Sequence, residues 1–245
     1  MGLFDYFSKD AATQRKLEGL RKKLSNMFYQ KQDRMAAAEV AADMARQGNK
    51  DAIDVLLLRF DHKSQNHTID QDEKGYVVDL LIGLGDPVVE PISAHIRSTS
   101  APVYWSLQVL AELWSAEKYA AFVAEILRDT DNGYLRDPAK KLGLLQLAEM
   151  IRHDEMGPAI VPFLDDHTED VRFKAVDCLV KSDYPQAQAA LIARLASGEE
   201  DGMRVVTRLC EAIANKGWSL GEHADAVSKN LAPGFRVSGG KLVAA

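Results

Sequence analysis

Apolar residues along this chain return at three- and four-residue intervals, the spacing of one face of an α-helix. Leu17, Leu20, Leu24, Met27 and Phe28, with charges between them, predict a first helix from about Thr13 to about Tyr29, and Leu3, Phe4 and Phe7 precede it at similar spacing. Beyond residue 31 the helical patterns come in pairs that recur roughly every 30 to 40 residues, a period that marks stacked repeats. Val40 and Met44 mark the first helix of the opening pair, at 32–46, and Ile53, Leu56, Leu57 and Phe60 its second, at 50–61. Gly48-Asn49 between them is a helix-stop signal. Tyr76 to Leu84 and Val88 to Ile96 form the next pair, with Gly85-Asp86-Pro87 as stop, cap and first-turn proline.

Four more pairs follow. Their apolar faces run through Val103–Trp114 and Tyr119–Leu127, Leu144–Ile151 and Ile160–Leu164, Val171–Leu179 and Ala187–Leu195, and Val206–Ile213 and Leu220–Leu231. Gly157-Pro158 reads as the turn of the fourth pair. No stretch alternates with period two, so no sheet is expected. Residues 233–245, with Ser238-Gly239-Gly240, read as a frayed tail.

Several segments resemble HEAT repeats. Glu169 to Leu179, with Asp170-Val171-Arg172 followed by Ala175, resembles the first helix of such a repeat. Leu84 to Ile92 resembles the turn and second helix, and Met156 to Leu164 is a weaker copy. The short period is similar to that of the bacterial, phycobilisome-lyase-like subgroup. The Gly-Leu-Phe-Asp opening followed by a basic helix looks like bacterial members of the family, which implies a cytoplasmic protein. The resemblance implies an all-α fold, an α-α superhelix or HEAT-like solenoid of about six antiparallel helix pairs. Its parts are an N-terminal basic amphipathic helix or cap (1–31), the solenoid (32–231) and a flexible C-terminal tail (232–245). The implied function is a protein–protein scaffold or adaptor without catalysis.

Charge sharpens this picture. Residues 1–34 hold eight basic residues against four acidic ones, +4, while the whole chain of 245 residues carries −6. The remainder is thus −10, and an acidic body is a poor match for nucleic-acid phosphates. The basic start admits three uses: capping the first repeat, contacting a protein partner, or weakly touching an anionic membrane surface. Phe4, Phe7, Arg15, Arg21, Lys22 and Lys23 are the residues through which the last two would work. Trp105 stands off the main apolar stripe and is a further partner anchor.

Other chemistry is weakly signalled. His62 and His67 lie with Asp61, Asp70 and Asp72 in a polar stretch whose spacing matches no metal motif, so a solvated loop is expected. Asp129 to Gly133 begins like a calcium loop but has Lys140 where the closing Glu belongs. His153-Asp154-Glu155 reads as a helix end and a new cap, since the adjacent His-Glu pairs of iron-binding HEAT hydroxylases are missing. Cys178 and Cys210 fall inside apolar helical patterns and read as small core residues in a reducing compartment. No metal, cofactor or catalytic residue is expected. The alternatives are a peripheral membrane adaptor acting through residues 1–30, a HEAT-like chromophore lyase, and a DNA-repair enzyme.

Overall fold

The computed structural model describes residues 3–130, 133, 136–181, 184 and 187–245, with side chains from residue 10 onward. Helix dominates. The chain falls into two compact units, residues 1–119 and 120–245, with the boundary inside one helix.

In the first unit α1 (Leu3–Ser25) leads into α2 (Lys31–Arg46) and α3 (Asp51–Asp61). Leu17, Leu20 and Leu24 are the buried stripe of α1, and that helix packs against both α2 and α3. The buried face of α2 is made of Ala37, Ala38, Ala41 and Ala42 with Met44, while Val40 is only half-buried. Small side chains let the neighbouring helices approach closely. The stop after α2 is as the sequence predicts. Gly48 takes φ 90°, its N–H reaches Ala45 O at 2.9 Å, and the Asn49 N–H reaches Met44 O at 3.0 Å. This double bond is the helix-ending motif in which a left-handed glycine lets two orphan carbonyls be satisfied.

Next come α4 (His67–Ile82), a 3-10 turn (Asp86–Val88), α5 (Val89–Ser98), α6 (Tyr104–Leu113) and α7 (Ala116–Asp129). α4 starts inside the stretch expected to be a loop, because Asn66 caps it by accepting the Ile69 N–H at 3.1 Å. Gly85, rather than Asp86, occupies the capping position before the 3-10 turn. First helices pack in order, α2 on α4 and α4 on α6, and the second helices α3 and α5 pack on each other.

The second unit repeats this arrangement. It contains α8 (Ala139–Ala148), α9 (Met156–Ile160) continued by a 3-10 turn (Val161–Asp165), α10 (Glu169–Lys181), α11 (Ala187–Ser197), α12 (Met203–Lys216), a 3-10 turn (Gly221–His223) and α13 (Ala224–Ser228). α8 packs on α10 and α10 on α12, while α11 packs on the Val161–Asp165 turn and on α13. Gly157-Pro158 lies within α9 and not in the turn before it, because a proline in the first turn has no N–H that a helix would need.

The expected frayed tail is an antiparallel hairpin. β1 (Phe235–Ser238) pairs with β2 (Lys241–Ala244) across Gly239-Gly240, both at positive φ. Leu242 is buried, β2 packs on α12, and the Leu220 N–H donates to Gly240 O at 2.9 Å. Strands of four residues show too little alternation to be read from sequence, and contact with α12 supplies the stability a lone hairpin lacks. Among the described residues no helix is long and apolar enough to cross a membrane.

Candidate functional site

Five charged side chains are buried together in the first unit. Arg34 on α2, Arg59 on α3, and Asp70, Glu73 and Lys74 on α4 are all buried. They form one chain of contacts. Arg34 donates to Glu73 through Nε at 3.0 Å and Nη2 at 2.6 Å. Arg59 Nε donates to the same carboxylate at 2.9 Å, and Arg59 Nη2 to Asp70 Oδ1 at 2.7 Å. The Ser64 N–H donates to Asp70 at 2.8 Å, and Lys74 pairs with Asp70 Oδ2 at 2.8 Å. The remaining guanidinium donors reach backbone: Arg34 meets the carbonyls of Met27 and Tyr29, and Arg59 that of His62 at 2.7 Å. Buried guanidinium groups persist only with such complete pairing.

This chain of charges ends at a cavity of about 460 Å³. Asp70 and Lys74 line it together with Lys63, His67, Tyr104 and Trp105. The two rings stand edge to face, with centroids 5.2 Å apart. Lys63 and His67 are exposed and Trp105 is half-buried. Asp61, also on the wall, accepts from Thr99 Oγ1 at 3.1 Å and lies 3.4 Å from His95 Nε2. Burial pushes the Asp70 pKa up, but Lys74, the Ser64 N–H and Arg59 outweigh it and hold the carboxyl below its ordinary range. Burial likewise lowers the Lys74 ammonium, helped by the nearby positive charges of Arg59 and Lys63 and opposed by Asp70.

The second unit uses a related device twice. Lys141, the third residue of α8, is fully buried; its Nζ meets Gly133 O and Asp166 Oδ2, each at 2.6 Å. Arg172, the fourth residue of α10, donates to the carbonyls of Asp166 and His167 and to Glu200 and Asp201. Arg34 is the fourth residue of α2 and does the same. In all three places a buried cation near the start of a first helix ties the preceding loop to an acid further along the chain.

The sites expected from sequence are distributed as follows. Trp105 lines the cavity, and with it His67 and Asp70 from the polar stretch. Asp70 is there as a buried ion-pair member, not as a solvated loop residue. His62 contributes its carbonyl to Arg59, and Asp72 pairs with Lys31 at 3.0 Å. Among the described residues no group of three or more His, Cys, Asp or Glu is placed to hold a metal ion. On α1, Arg15, Lys22 and Lys23 are exposed, and Arg21, one turn after Leu17, is half-buried at the edge of the leucine stripe. Phe4 and Phe7 lie outside the residues whose side chains are described, as do Asp131 and Asn132 of the calcium-like segment. Glu155 of the His153 cluster pairs with Arg128 at 3.0 Å and stands at the cap of α9.

Sequence reasoning missed Arg34, Arg59, Glu73 and Lys74. A signal was present: Asp70, Glu73, Lys74 and Val77 stand at i, i+3, i+4 and i+7, so the charges continue the apolar stripe by one turn. Lys141 before Leu144 and Leu145, and Arg172 before Ala175 and Val176, follow the same rule. No family model, curated protein or solved structure matches this chain.

Proposed function

We propose that the chain is a HEAT-like helical-repeat module that holds a partner protein and performs no catalysis. Helix pairs that stack in register within each unit support the superhelical reading, because one amphipathic pair cannot cover its own apolar face. The repeated loop-to-acid cation supports it from the side of chemistry. A cytoplasmic setting goes with the same reading, and the buried, unpaired thiols of Cys178 and Cys210 are consistent with it.

The observation that carries the binding role is the half-buried Trp105 in the cavity wall beside the exposed Tyr104. Aromatic side chains in a pocket are the usual energetic centre of a protein interface. The test is affinity capture from native lysate with the wild type and with Trp105→Ala, read by mass spectrometry. A protein retained by the wild type and depleted at least about five-fold by the variant supports the module. Equal capture by both forms removes Trp105 from the interface.

One observation favours a second reading, contact with an anionic membrane surface. Phe28 is 94% exposed and stands six and five residues after the exposed Lys22 and Lys23, just past the end of α1. Flotation with phosphatidylserine vesicles that fails in Phe28→Ser would support that contact. Flotation equal in both forms, or in neither, would end it.

A further inference from the structure

The charges behind the cavity do not balance. Arg34, Arg59 and Lys74 face Asp70 and Glu73, so the buried cluster carries one excess positive charge among the described residues. Both guanidinium groups are spent on carboxylates and carbonyls. Lys74 is the cation that also lines the cavity. Its ammonium has three donors and pairs with one carboxylate, Asp70, which Arg59 and the Ser64 N–H already share. A buried charge in excess of its partners is unfavourable, and an anion entering beside it would offset that. Lys63 adds a second, exposed cation to the wall. Asp61 on the same wall accepts a hydrogen bond from Thr99 Oγ1 and lies 3.4 Å from His95 Nε2. Tyr104 and Trp105 supply an apolar surface, and the volume lies within the ~300–1,000 Å³ range of small-ligand sites.

We propose that this cavity binds a carboxylate carried next to an aromatic or other bulky apolar group, with Lys74 and Lys63 meeting the carboxylate and Trp105 the apolar part. One excess buried charge matches a monoanion better than a phosphate dianion. The source of the carboxylate rests on the binding-module reading: an Asp or Glu side chain of a partner segment beside a bulky apolar residue. The carboxylate chemistry itself does not depend on that reading.

The test follows the Trp105 indole N–H by NMR in the full chain, assigned with Trp105→Phe. Benzoate is added, then its neutral isostere benzamide, then inorganic phosphate. Benzoate is expected to shift the resonance saturably and to bind at least about ten-fold tighter than either control. Lys74→Met should weaken benzoate at least about ten-fold, measured on protein that circular dichroism shows to be folded, because the ammonium that meets the carboxylate is gone. Lys63→Ser, an exposed change that leaves the fold alone, should weaken it several-fold and serves if Lys74→Met does not fold. Benzamide binding as tightly as benzoate, phosphate binding more tightly, or unchanged benzoate affinity in the lysine variants overturns the proposal. Acetyl-Phe-Glu-amide against acetyl-Phe-Gln-amide then identifies the source. Preference for the Glu peptide assigns the site to a protein segment. Binding of benzoate with neither peptide keeps the carboxylate site, assigns it to free carboxylates, and takes the cavity out of the binding-module reading.

Discussion

Glu73 is 2% exposed and takes hydrogen bonds from two guanidinium groups, those of Arg34 and Arg59. Glu73→Gln keeps the volume but removes the negative charge between two buried cations. It turns one acceptor oxygen into a donor that faces other donors. A loss of about 3–5 kcal/mol is expected, read by urea denaturation. The exposed pair Lys31–Asp72, with side chains 32% and 54% accessible, sets the contrast. Asp72→Asn there should cost less than about 1 kcal/mol, because solvent screens the pair. If the two variants cost the same, the buried network does not hold α2, α3 and α4 together. The cysteines obey the same logic of environment. Burial pushes the Cys178 thiol up to about 12 and raises Cys210, and Cys178 donates to Leu145 O at 3.0 Å. Neither should react with a thiol-labelling disulfide at pH 8 in the native protein, and both should react in urea.

At the scale of elements, α9 shows how a five-residue helix is held by what packs on it. A Cβ on Gly157 would run into the Tyr184 ring, so the ring occupies the space that any larger residue needs. Gly157→Ala is expected to destabilise by about 1–3 kcal/mol. In a Tyr184→Ala background the same change should cost almost nothing, a coupling that a double-mutant cycle measures. Elements with long apolar periodicity and a chemical stop were legible in the sequence: α2, Gly48 and α3 fall where the pattern puts them. α4 was read too short at its start because its first turns bury Asp70, Glu73 and Lys74, which a hydrophobic pattern scores as loop. The 3-10 turns and the hairpin were not legible. They are short, and their stability comes from contacts with α5, α11 and α12 rather than from their own sequence. The cavity was half legible: Trp105 stood out as off-stripe, but its neighbours Lys63 and Lys74 are 31 or more positions away in sequence and meet it only through folding.

Across the whole molecule, ionisable groups tie stability to pH, through carboxylates of both units on the acid flank and through Lys74 and the two thiols, which act with opposed signs, on the alkaline flank. Asp70 in the first unit, and Glu149 and Glu200 in the second, titrate below their unfolded values of 3.8, 4.5 and 4.5. Burial works against Asp70 and Glu200 but is outweighed by Lys74, the Ser64 N–H and Arg59 for the first, and by Arg172, the Gly202 N–H and Arg194 for the second; Lys174 and Lys181 lower Glu149. A depressed carboxylate stabilises the fold fully above its unfolded pKa, and that stability is lost as pH falls through the folded value. The urea midpoint should therefore hold down to about pH 5 and drop steadily below about pH 4.5. Lys74 acts on the alkaline side. Its folded pKa lies under the ordinary lysine value of 10.5, so between the two values the unfolded chain binds more protons and stability rises with pH. The raised thiols oppose this above their unfolded 9.0, where the unfolded chain ionises first. The two effects separate by difference. The wild-type midpoint minus that of Lys74→Met should climb as pH rises toward 10.5, since both proteins share the cysteines. A flat difference would mean that Lys74 is no worse solvated folded than unfolded, and the excess buried charge beside the cavity would then have no energetic consequence.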